Sequence, residues 1–276
     1  NDSVGSNNGT LLNGATFAPG VVGKAFRFDG MDDMVVIPDT PSLRPTELTL
    51  SAWVRVDACN TWRSHWGVSP GQQWIIFKRN SRVGDFEGYT IYIPGGTGCE
   101  DCNIGKLACW LIFGITSSGG FHGGAVLVPP VVNKWYHLVG TFDGSTARTF
   151  VNGVLIQQQF LGYPIDHSTQ PLVFGRTGQD GEPGEANHDA AFNGLLDEVM
   201  IFNRALSGTE IQKLVAAFPD PNCSPDAEAY DEMQTELAHN IEVFGLGRVC
   251  TADLTGTIGV KRYLPFVDPD TGLRTI

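Results

Sequence analysis

The sequence has 276 residues, with 30 acidic and 18 basic side chains and a formal net charge of -12. This negative charge repels a phosphate backbone and argues against nucleic acid as a partner. With 34 Gly, 16 Pro and only 17% charged residues, the composition favours many short strands joined by turns over a helical bundle. No apolar run approaches the roughly 18 residues that a membrane-spanning helix needs, so we expect no membrane span.

Apolar and polar residues alternate in many short segments, beginning at Lys24. Alternation with a period of two is typical of a strand that has one face buried. The segments span residues 24–30, 34–38, 48–56, 74–78, 89–93, 107–115, 125–128, 135–142, 147–151, 155–159, 172–174 and 195–202. About a dozen short strands separated by turn residues predict an all-β sandwich or jelly roll. Asn152 and Gly153 predict a two-residue hairpin turn, because this pair readily adopts positive φ angles.

The pattern becomes helical after Asn203. Ser207 and Glu210 have the spacing of a capping box, and apolar residues then follow three and four apart up to Pro219: Ile211, Leu214, Val215 and Phe218. We expect this helix to close a sandwich that occupies residues 1–218. A Pro-rich hinge and a second helical pattern at 226–243 follow, so residues 219–276 are predicted to form a C-terminal extension that is part helical and part extended.

The chain contains six cysteines, an even number that favours disulfides in a loop-rich protein: Cys59, Cys99, Cys102, Cys109, Cys223 and Cys250. Disulfides indicate a protein that is secreted or at the cell surface. Cys223 and Cys250 bracket the second predicted helix, and a bond between them would staple the extension. The alternative is a zinc site formed by the first four cysteines. Its support is weak, because Cys99 and Cys102 have CxxC spacing but no second CxxC pair accompanies them.

Four segments together resemble the laminin G-like family of bacterial secreted proteins, which has the concanavalin A-like lectin/glucanase fold. They are GKAFRFDGMDDMVVIP at 23–38, LTLSAWVRV at 48–56, KWYHLVGTFDGSTARTFVNG at 134–153 and FNGLLDEVMIFNRALSGTEIQKL at 192–214. The resemblance covers about residues 1–217 and implies a two-sheet antiparallel jelly roll. Two insertions, 57–72 and 95–105, and the chain after Phe218 have no counterpart in the family.

The family resemblance also has implications for the first nine residues, NDSVGSNNG. They resemble an Asp-x-Ser-Gly-Asn run that, together with the acidic residue of the last strand, implies a structural calcium site formed by Asp2, Asn8 and Asp197. Carboxylate, amide and carbonyl oxygens are the ligands that calcium requires. The alternative is that Asp2 and Asn8 form Asx turns and that Asp197 accepts backbone hydrogen bonds.

Family members carry a further strand before this run. The resemblance therefore implies a sheet edge that another segment, such as the C-terminal extension, has to cover.

The first insertion carries a cluster of aromatic side chains. Trp62 and Trp66 are interleaved with Arg63 and His65 in a loop at the rim of the predicted sandwich. Aromatic faces with polar neighbours suit stacking on sugar rings or contact with a protein. The alternative is that both tryptophans fill a small disulfide-braced core, and Trp74 after them is expected to begin a core strand.

No pattern of catalytic residues matches the enzymes that share this fold. Retaining glucanases of the concanavalin A-like fold carry a Glu-x-Asp-x-x-Glu strand, whereas the nearest acidic segment here, 228–232, lies in the second predicted helix. Residues 67–71 fit the Gly-x-Ser-x-Gly pattern of serine hydrolases, but Pro70 lacks the backbone N–H that the oxyanion hole needs. The six histidines include no HExxH motif. The sequence therefore predicts a protein that is not an enzyme.

Three functions remain, in order of preference. The first is a calcium-stabilised recognition module of a secreted or cell-surface protein, which binds a glycan or an extracellular protein through its rim loops. The second is a structural building block of an extracellular assembly, completed by self-assembly through a strand that a neighbouring chain donates. The third is a diverged polysaccharide hydrolase or lyase, since the fold alone does not determine function.

Overall fold

The computed structural model describes residues 2–58, 71–79, 88–95, 112–117, 120–126, 132–167, 169–177, 190–218, 221–222, 247–252, 258–263, 266–267 and 274–275. The strands of the sandwich are β1 (Thr10–Leu12), β2 (Thr16–Pro19), β3 (Lys24–Asp29), β4 (Met34–Ile37), β5 (Leu48–Val56), β6 (Gln73–Arg79), β7 (Gly88–Ile93), β8 (Ile112–Ser117), β9 (Gly120–Val126), β10 (Trp135–Phe142), β11 (Thr146–Val151), β12 (Val154–Phe160), β13 (Leu172–Phe174) and β14 (Asn193–Phe202). The helix α1 spans Gly208–Ala216, and a 3-10 turn spans Pro41–Leu43.

The strands form two antiparallel sheets of seven strands each. The first sheet has the order β1-β4-β13-β6-β7-β8-β9, and the second has the order β12-β11-β10-β5-β14-β3-β2. Beyond the sandwich, β15 (Gly247–Ala252) pairs with β16 (Ile258–Tyr263), and β17 (Phe266–Val267) pairs with β18 (Arg274–Thr275). The predicted all-β, two-sheet sandwich with a closing helix is confirmed.

The hydrophobic core lies between the inner faces of the two sheets. Alternate residues of β5, from Leu48 to Val56, face it together with the inner residues of β7, β8 and β10. The sheets approach closely at Gly140 of β10, where a Cβ atom would lie 2.2 Å from the ring of Phe113 in β8. The absence of a side chain at Gly140 therefore makes room for a core aromatic ring.

The outer face of β5 is also buried, which the alternating sequence did not predict. Helix α1 and the segment before it cover this face, and Ile211 and Leu206 pack on Val139 and Phe150 of the second sheet. Thr49 is buried on this face with its hydroxyl fully hydrogen-bonded. The hydroxyl donates to the carbonyl oxygen of Arg204 at 2.7 Å and accepts from the N–H of Leu206 at 2.8 Å. Polar residues can therefore occupy a buried face here because their hydrogen bonds are satisfied.

The capping box of α1 forms as predicted. The Ser207 hydroxyl accepts from the backbone N–H of Glu210, and the Glu210 carboxylate accepts from the backbone N–H of Ser207 at 2.9 Å. The Asn152-Gly153 turn is also confirmed, with φ angles of 50° and 83°. The side chain of Asn152 accepts a further hydrogen bond from the N–H of His137.

Two strands near the start of the chain, β1 and β2, were not predicted. They are short, with three and four residues, and turn-forming residues surround them, so no alternation is visible. The second predicted helix and five of the six cysteines lie outside the described residues, as does the side chain of Cys250. The predicted boundary at residue 218 and the disulfides stay predictions.

Strand β14 pairs with β5 on one edge, but on its other edge only the first half of the strand has a neighbouring strand within the described residues. Its residues 193–196 pair with β3, whereas residues 200–202 pair with β5 alone among the described strands. Glu198 has a φ angle of 46° and marks an irregularity in the pairing with β5. The second half of β14 therefore presents an open edge to the region beyond β3.

The turn between β10 and β11 is stabilised by the carboxylate of Asp143. One oxygen accepts from the N–H groups of Ser145 at 3.0 Å and Thr146 at 2.8 Å, and the other accepts from the guanidinium of Arg148 at 2.7 Å. Partial burial opposes ionisation, but these hydrogen bonds outweigh it and lower the pKa of Asp143 to about 2.

We expect Asp143→Asn to destabilise the domain in a pH-dependent way. The folded pKa is depressed, so the ionised carboxylate stabilises the fold above its unfolded pKa, and this contribution disappears as the pH falls from about 4 towards 2. Because Asp143 is partly exposed, we expect a loss of about 1–2 kcal/mol at pH 7 that shrinks below pH 4 in urea denaturation. Glu47→Gln at an exposed site is the control, and a pH-independent loss for Asp143→Asn would contradict this account.

Candidate functional site

Several connections between the two sheets meet at one rim of the sandwich. Residues 30–33 lead from β3 to β4, and residues 57–72 lead from β5 to β6. The chain also enters β14 here, at Asn193. We call this edge the Asn193 rim. It includes the base of the insertion at residues 57–72, which contains Trp62 and Trp66 and is called the aromatic insertion below.

Two amide side chains bind these connections together. Asn193 donates from Nδ2 to the carbonyl oxygen of Asp29 at 3.0 Å, and its backbone carbonyl oxygen accepts from the N–H of Asp57 at 3.0 Å. Gln73 is fully buried, and its Oε1 accepts from the N–H of Asn193 at 2.9 Å. Its Nε2 donates to the carbonyl oxygen of Ala58 at 3.1 Å. Gln73 therefore joins the two ends of the insertion.

Charged and aromatic groups flank the start of the insertion. The guanidinium of Arg55 donates to both carboxylate oxygens of Asp57, at 2.7 and 3.0 Å, and lies over the ring of Trp135 at 5.7 Å from its centroid. Asn222 exchanges two hydrogen bonds of 2.9 Å with the backbone of Trp135. Paired in this way, Arg55 is held in a fixed position at the rim.

The four predicted ligand-binding residues, Trp62, Arg63, His65 and Trp66, lie outside the described residues. Their binding role stays a prediction. Trp74 is in β6 and buried, as expected of a residue that begins a core strand. Its ring stacks on Tyr92 at a centroid distance of 4.6 Å and meets Phe77 edge to face at 5.1 Å. These rings form a fixed platform at the end of the insertion.

An acidic cluster on the Asn193 rim was not recognised as a site from the sequence. Asp29, Asp32 and Asp33 each offer a carboxylate oxygen, and the three oxygens lie within 4.8 Å of one another. Asp33 is 4% exposed. Burial raises the pKa of Asp33 to about 6, and the charges of Asp29 and Asp32 act in the same direction. Three aspartates within five residues, in the segment DGMDD, were the available signal.

The residues of the predicted calcium site have other partners. Asp2 accepts from the N–H groups of Val4, Gly5 and Asn7, which lower its pKa, and its own N–H donates to Asn8 Oδ1 at 2.9 Å. Asp2 and Asn8 are thus together in one Asx-turn arrangement, as the alternative interpretation described.

The carboxylate of Asp197 is likewise engaged by backbone groups. It accepts from the N–H groups of Val22 at 3.0 Å and Glu198 at 2.9 Å. The carboxylate oxygens of Asp2 and Asp197 therefore already bind N–H groups, and calcium at Asp2, Asn8 and Asp197 stays a prediction.

A serine and a histidine are in contact inside the second sheet. Ser51 Oγ lies 2.9 Å from His137 Nε2, and His137 also packs against the rings of Trp53 and Phe218. Both Ser51 and His137 are fully buried. A substrate has no access to this pair, so the contact is structural.

The sequence profile of the concanavalin A-like lectin/glucanases superfamily, laminin G type, matches residues 29–212. The chain belongs to this family. No curated protein matches the chain. Among the described residues, none of the helical segments has the length and apolar character needed to cross a membrane.

Several solved structures have a similar fold. The binding domain of Paraclostridial mosquitocidal protein 1 is 16% identical, with a TM-score of 0.54, and the match covers 76% of this chain and 47% of that one. The binding domain of botulinum neurotoxin DC in complex with SialylT is 16% identical, with a TM-score of 0.52 and coverage of 76% and 46%. This chain spans about half the length of these toxin domains.

A third similar structure is close to this laminin G-like domain in size. Domain 4 of AbnA, an extracellular GH43 arabinanase from Geobacillus stearothermophilus in complex with arabinotriose, is 18% identical, with a TM-score of 0.52. The match covers 75% of this chain and 87% of that domain. At these identities the three structures show that the fold is shared.

We expect Gln73→Ala to destabilise the Asn193 rim. The substitution leaves the N–H of Asn193 and the carbonyl oxygen of Ala58 without these partners in a buried setting. Two unsatisfied backbone groups predict a loss of about 2–4 kcal/mol in the free energy of unfolding, measured by urea denaturation. Gln157→Ala in the exposed part of β12 is the matched control, with a change within about 0.5 kcal/mol. Equal effects of the two substitutions would show that Gln73 does not stabilise the rim.

Proposed function

We propose that this laminin G-like domain is a recognition module without enzymatic activity, and that it binds a glycan or an extracellular protein through the Asn193 rim. The observation that carries the proposal is the attachment of the aromatic insertion at this rim. Gln73 and Asn193 hold both of its ends against the sheets. A loop with fixed ends presents its side chains to a ligand at a lower entropic cost than a free segment does.

The chemistry of the rim suits a ligand with both apolar faces and hydroxyl groups. Trp62 and Trp66 supply aromatic faces, and Arg63 and His65 supply hydrogen-bond donors between them. Two of the similar structures are complexes with named ligands, arabinotriose in one and SialylT in the other. A location outside the cell, with disulfides between the six cysteines, agrees with this role.

The enzymatic alternative has weaker support in the described residues. The acidic cluster offers carboxylates at short range, as a glycosidase would need. However, Asp33, whose raised pKa would suit a general acid, is buried and is not within reach of a polysaccharide chain. The Ser51–His137 pair is equally inaccessible.

Binding to a glycan array tests the proposal directly. We expect the wild-type chain to bind a restricted set of glycans, and the double variant Trp62→Ala, Trp66→Ala to bind them at least about tenfold more weakly, since stacking on an aromatic ring contributes about 1 kcal/mol or more. Phe160→Ala is the matched control, because Phe160 is an exposed aromatic residue at the end of β12, 75% exposed. Binding that survives the double variant would exclude Trp62 and Trp66 as the contact.

A second candidate function, a building block of an extracellular assembly, is favoured by the open edge of β14. Residues 200–202 pair on one side with β5 among the described strands, and Val199 and Ile201 pack partly against the core. An extended segment from a neighbouring chain would pair with this edge and cover those side chains.

Hydrogen exchange tests this second candidate. If chains assemble through β14, those amides of residues 198–202 that do not bond to β5 will exchange rapidly in dilute solution and become protected as the concentration rises, with a matching increase in mass by light scattering. The amides of β5, which has a neighbouring strand on each side, are the internal control and stay protected throughout. A constant mass with unchanged exchange at 198–202 would exclude assembly through this edge.

A further inference from the structure

The acidic cluster at the turn between β3 and β4 brings three carboxylates together without a basic partner among the described residues. Asp29, Asp32 and Asp33 bring their carboxylates within 4.8 Å of one another. None of the three forms an ion pair with a Lys or Arg in the part of the chain that the structure describes. Like charges at such separations repel, and the repulsion is strongest where the groups are buried.

Asp33 supplies a second and independent observation. Its side chain is 4% exposed, and its Oδ2 accepts from the N–H of Asp29 at 2.9 Å. Its Oδ1 is buried and has no hydrogen-bond partner. A buried carboxylate oxygen without a donor is costly. Unlike the carboxylates of Asp2 and Asp197, Asp33 therefore keeps an oxygen available for a ligand.

Glycine at position 14 lets the neighbouring turn pack closely against this oxygen. Gly14 lies next to it, and a Cβ atom at Gly14 would be 2.9 Å from Asp33 Oδ1. Gly14 has a φ angle of 115°, which strongly favours glycine at this position. Asn13 fixes the approach of the two turns by donating from Nδ2 to the carbonyl oxygen of Asp32 at 3.0 Å.

From this geometry we propose that Asp29, Asp32 and Asp33 form a calcium site at the turn between β3 and β4. Calcium takes six to eight oxygen ligands in flexible geometries, which carboxylates, backbone carbonyls and water supply together. Asp33 Oδ1 provides the buried ligand, and Asp29 and Asp32 provide the more exposed ones. The ion neutralises the cluster and gives the unpartnered oxygen of Asp33 a partner.

This site differs from the one that Asp2, Asn8 and Asp197 would form. It involves residues 29–33, and Asn193 connects it to the base of the aromatic insertion through the carbonyl oxygen of Asp29. Bound calcium therefore stiffens the Asn193 rim. The inference concerns ion binding by the domain and does not depend on glycan recognition.

Calcium titration of the full chain tests the proposal. After treatment with EDTA and transfer to metal-free buffer, we expect CaCl2 to raise the melting temperature and to give a saturable one-site signal in calorimetry, because an ion that binds only the native state stabilises it. Asp32→Asn removes a half-exposed ligand without disturbing a described hydrogen bond, and we expect it to weaken calcium binding at least about tenfold. Asp33→Asn, which keeps an acceptor for the Asp29 N–H, should do the same.

Glu47→Gln is the matched control, since it removes one carboxylate charge at an exposed site elsewhere, and it should retain the calcium affinity of the wild type. The proposal is overturned if calcium changes neither the melting temperature nor the calorimetric signal. It is also overturned if MgCl2 gives a binding signal and CaCl2 gives none. It is likewise overturned if binding survives Asp32→Asn and Asp33→Asn but is lost in Asp2→Asn or Asp197→Asn, a result that would place the ion at the site of Asp2, Asn8 and Asp197 instead.

Discussion

The burial of both faces of β5 and β10 is the constraint on which the rest of the sandwich depends. Their inner residues fill the space between the sheets, and their outer residues lie beneath α1. A strand buried on two sides can carry polar residues only where each finds a partner, as Thr49 does with Arg204 and Leu206. The central sheet pairing, the closing helix and the segment that leads into it therefore stabilise one another, and the variable parts of the domain are restricted to its rims.

The Asn193 rim combines structural and chemical roles in a small number of side chains. Asn193 and Gln73 satisfy backbone groups from three separate connections. Next to them lie a carboxylate cluster and a paired guanidinium at Arg55. Recognition sites in sandwich folds are expected on loops that a rigid scaffold positions, and this rim has both components. The proposed calcium site and the base of the aromatic insertion are neighbours because Asn193 bonds to Asp29 beside the first and to Asp57 beside the second.

The sequence predicted most of the sandwich because its signals were local. Alternation within β5 and β10, the Asn152-Gly153 pair and the Ser207–Glu210 capping box each depend on neighbouring residues. The burial of Thr49 was not predictable in this way, since its hydroxyl bonds to the backbone of Arg204, 155 residues later in the chain. The three aspartates are visible in the segment DGMDD, but the unpartnered oxygen of Asp33 and its close contact with Gly14 arise only once the strands have paired.

The position of Gln73 separates the stability of the scaffold from the content of the insertion. Because one buried amide joins Ala58 to Asn193, the ends of β5 and β6 are held together whatever lies between them. The entropic cost of closing a loop rises slowly with its length. A change in the length of the segment between residues 58 and 71 is therefore expected to cost the sheets little free energy of unfolding, so the domain can carry loops of different length at this position.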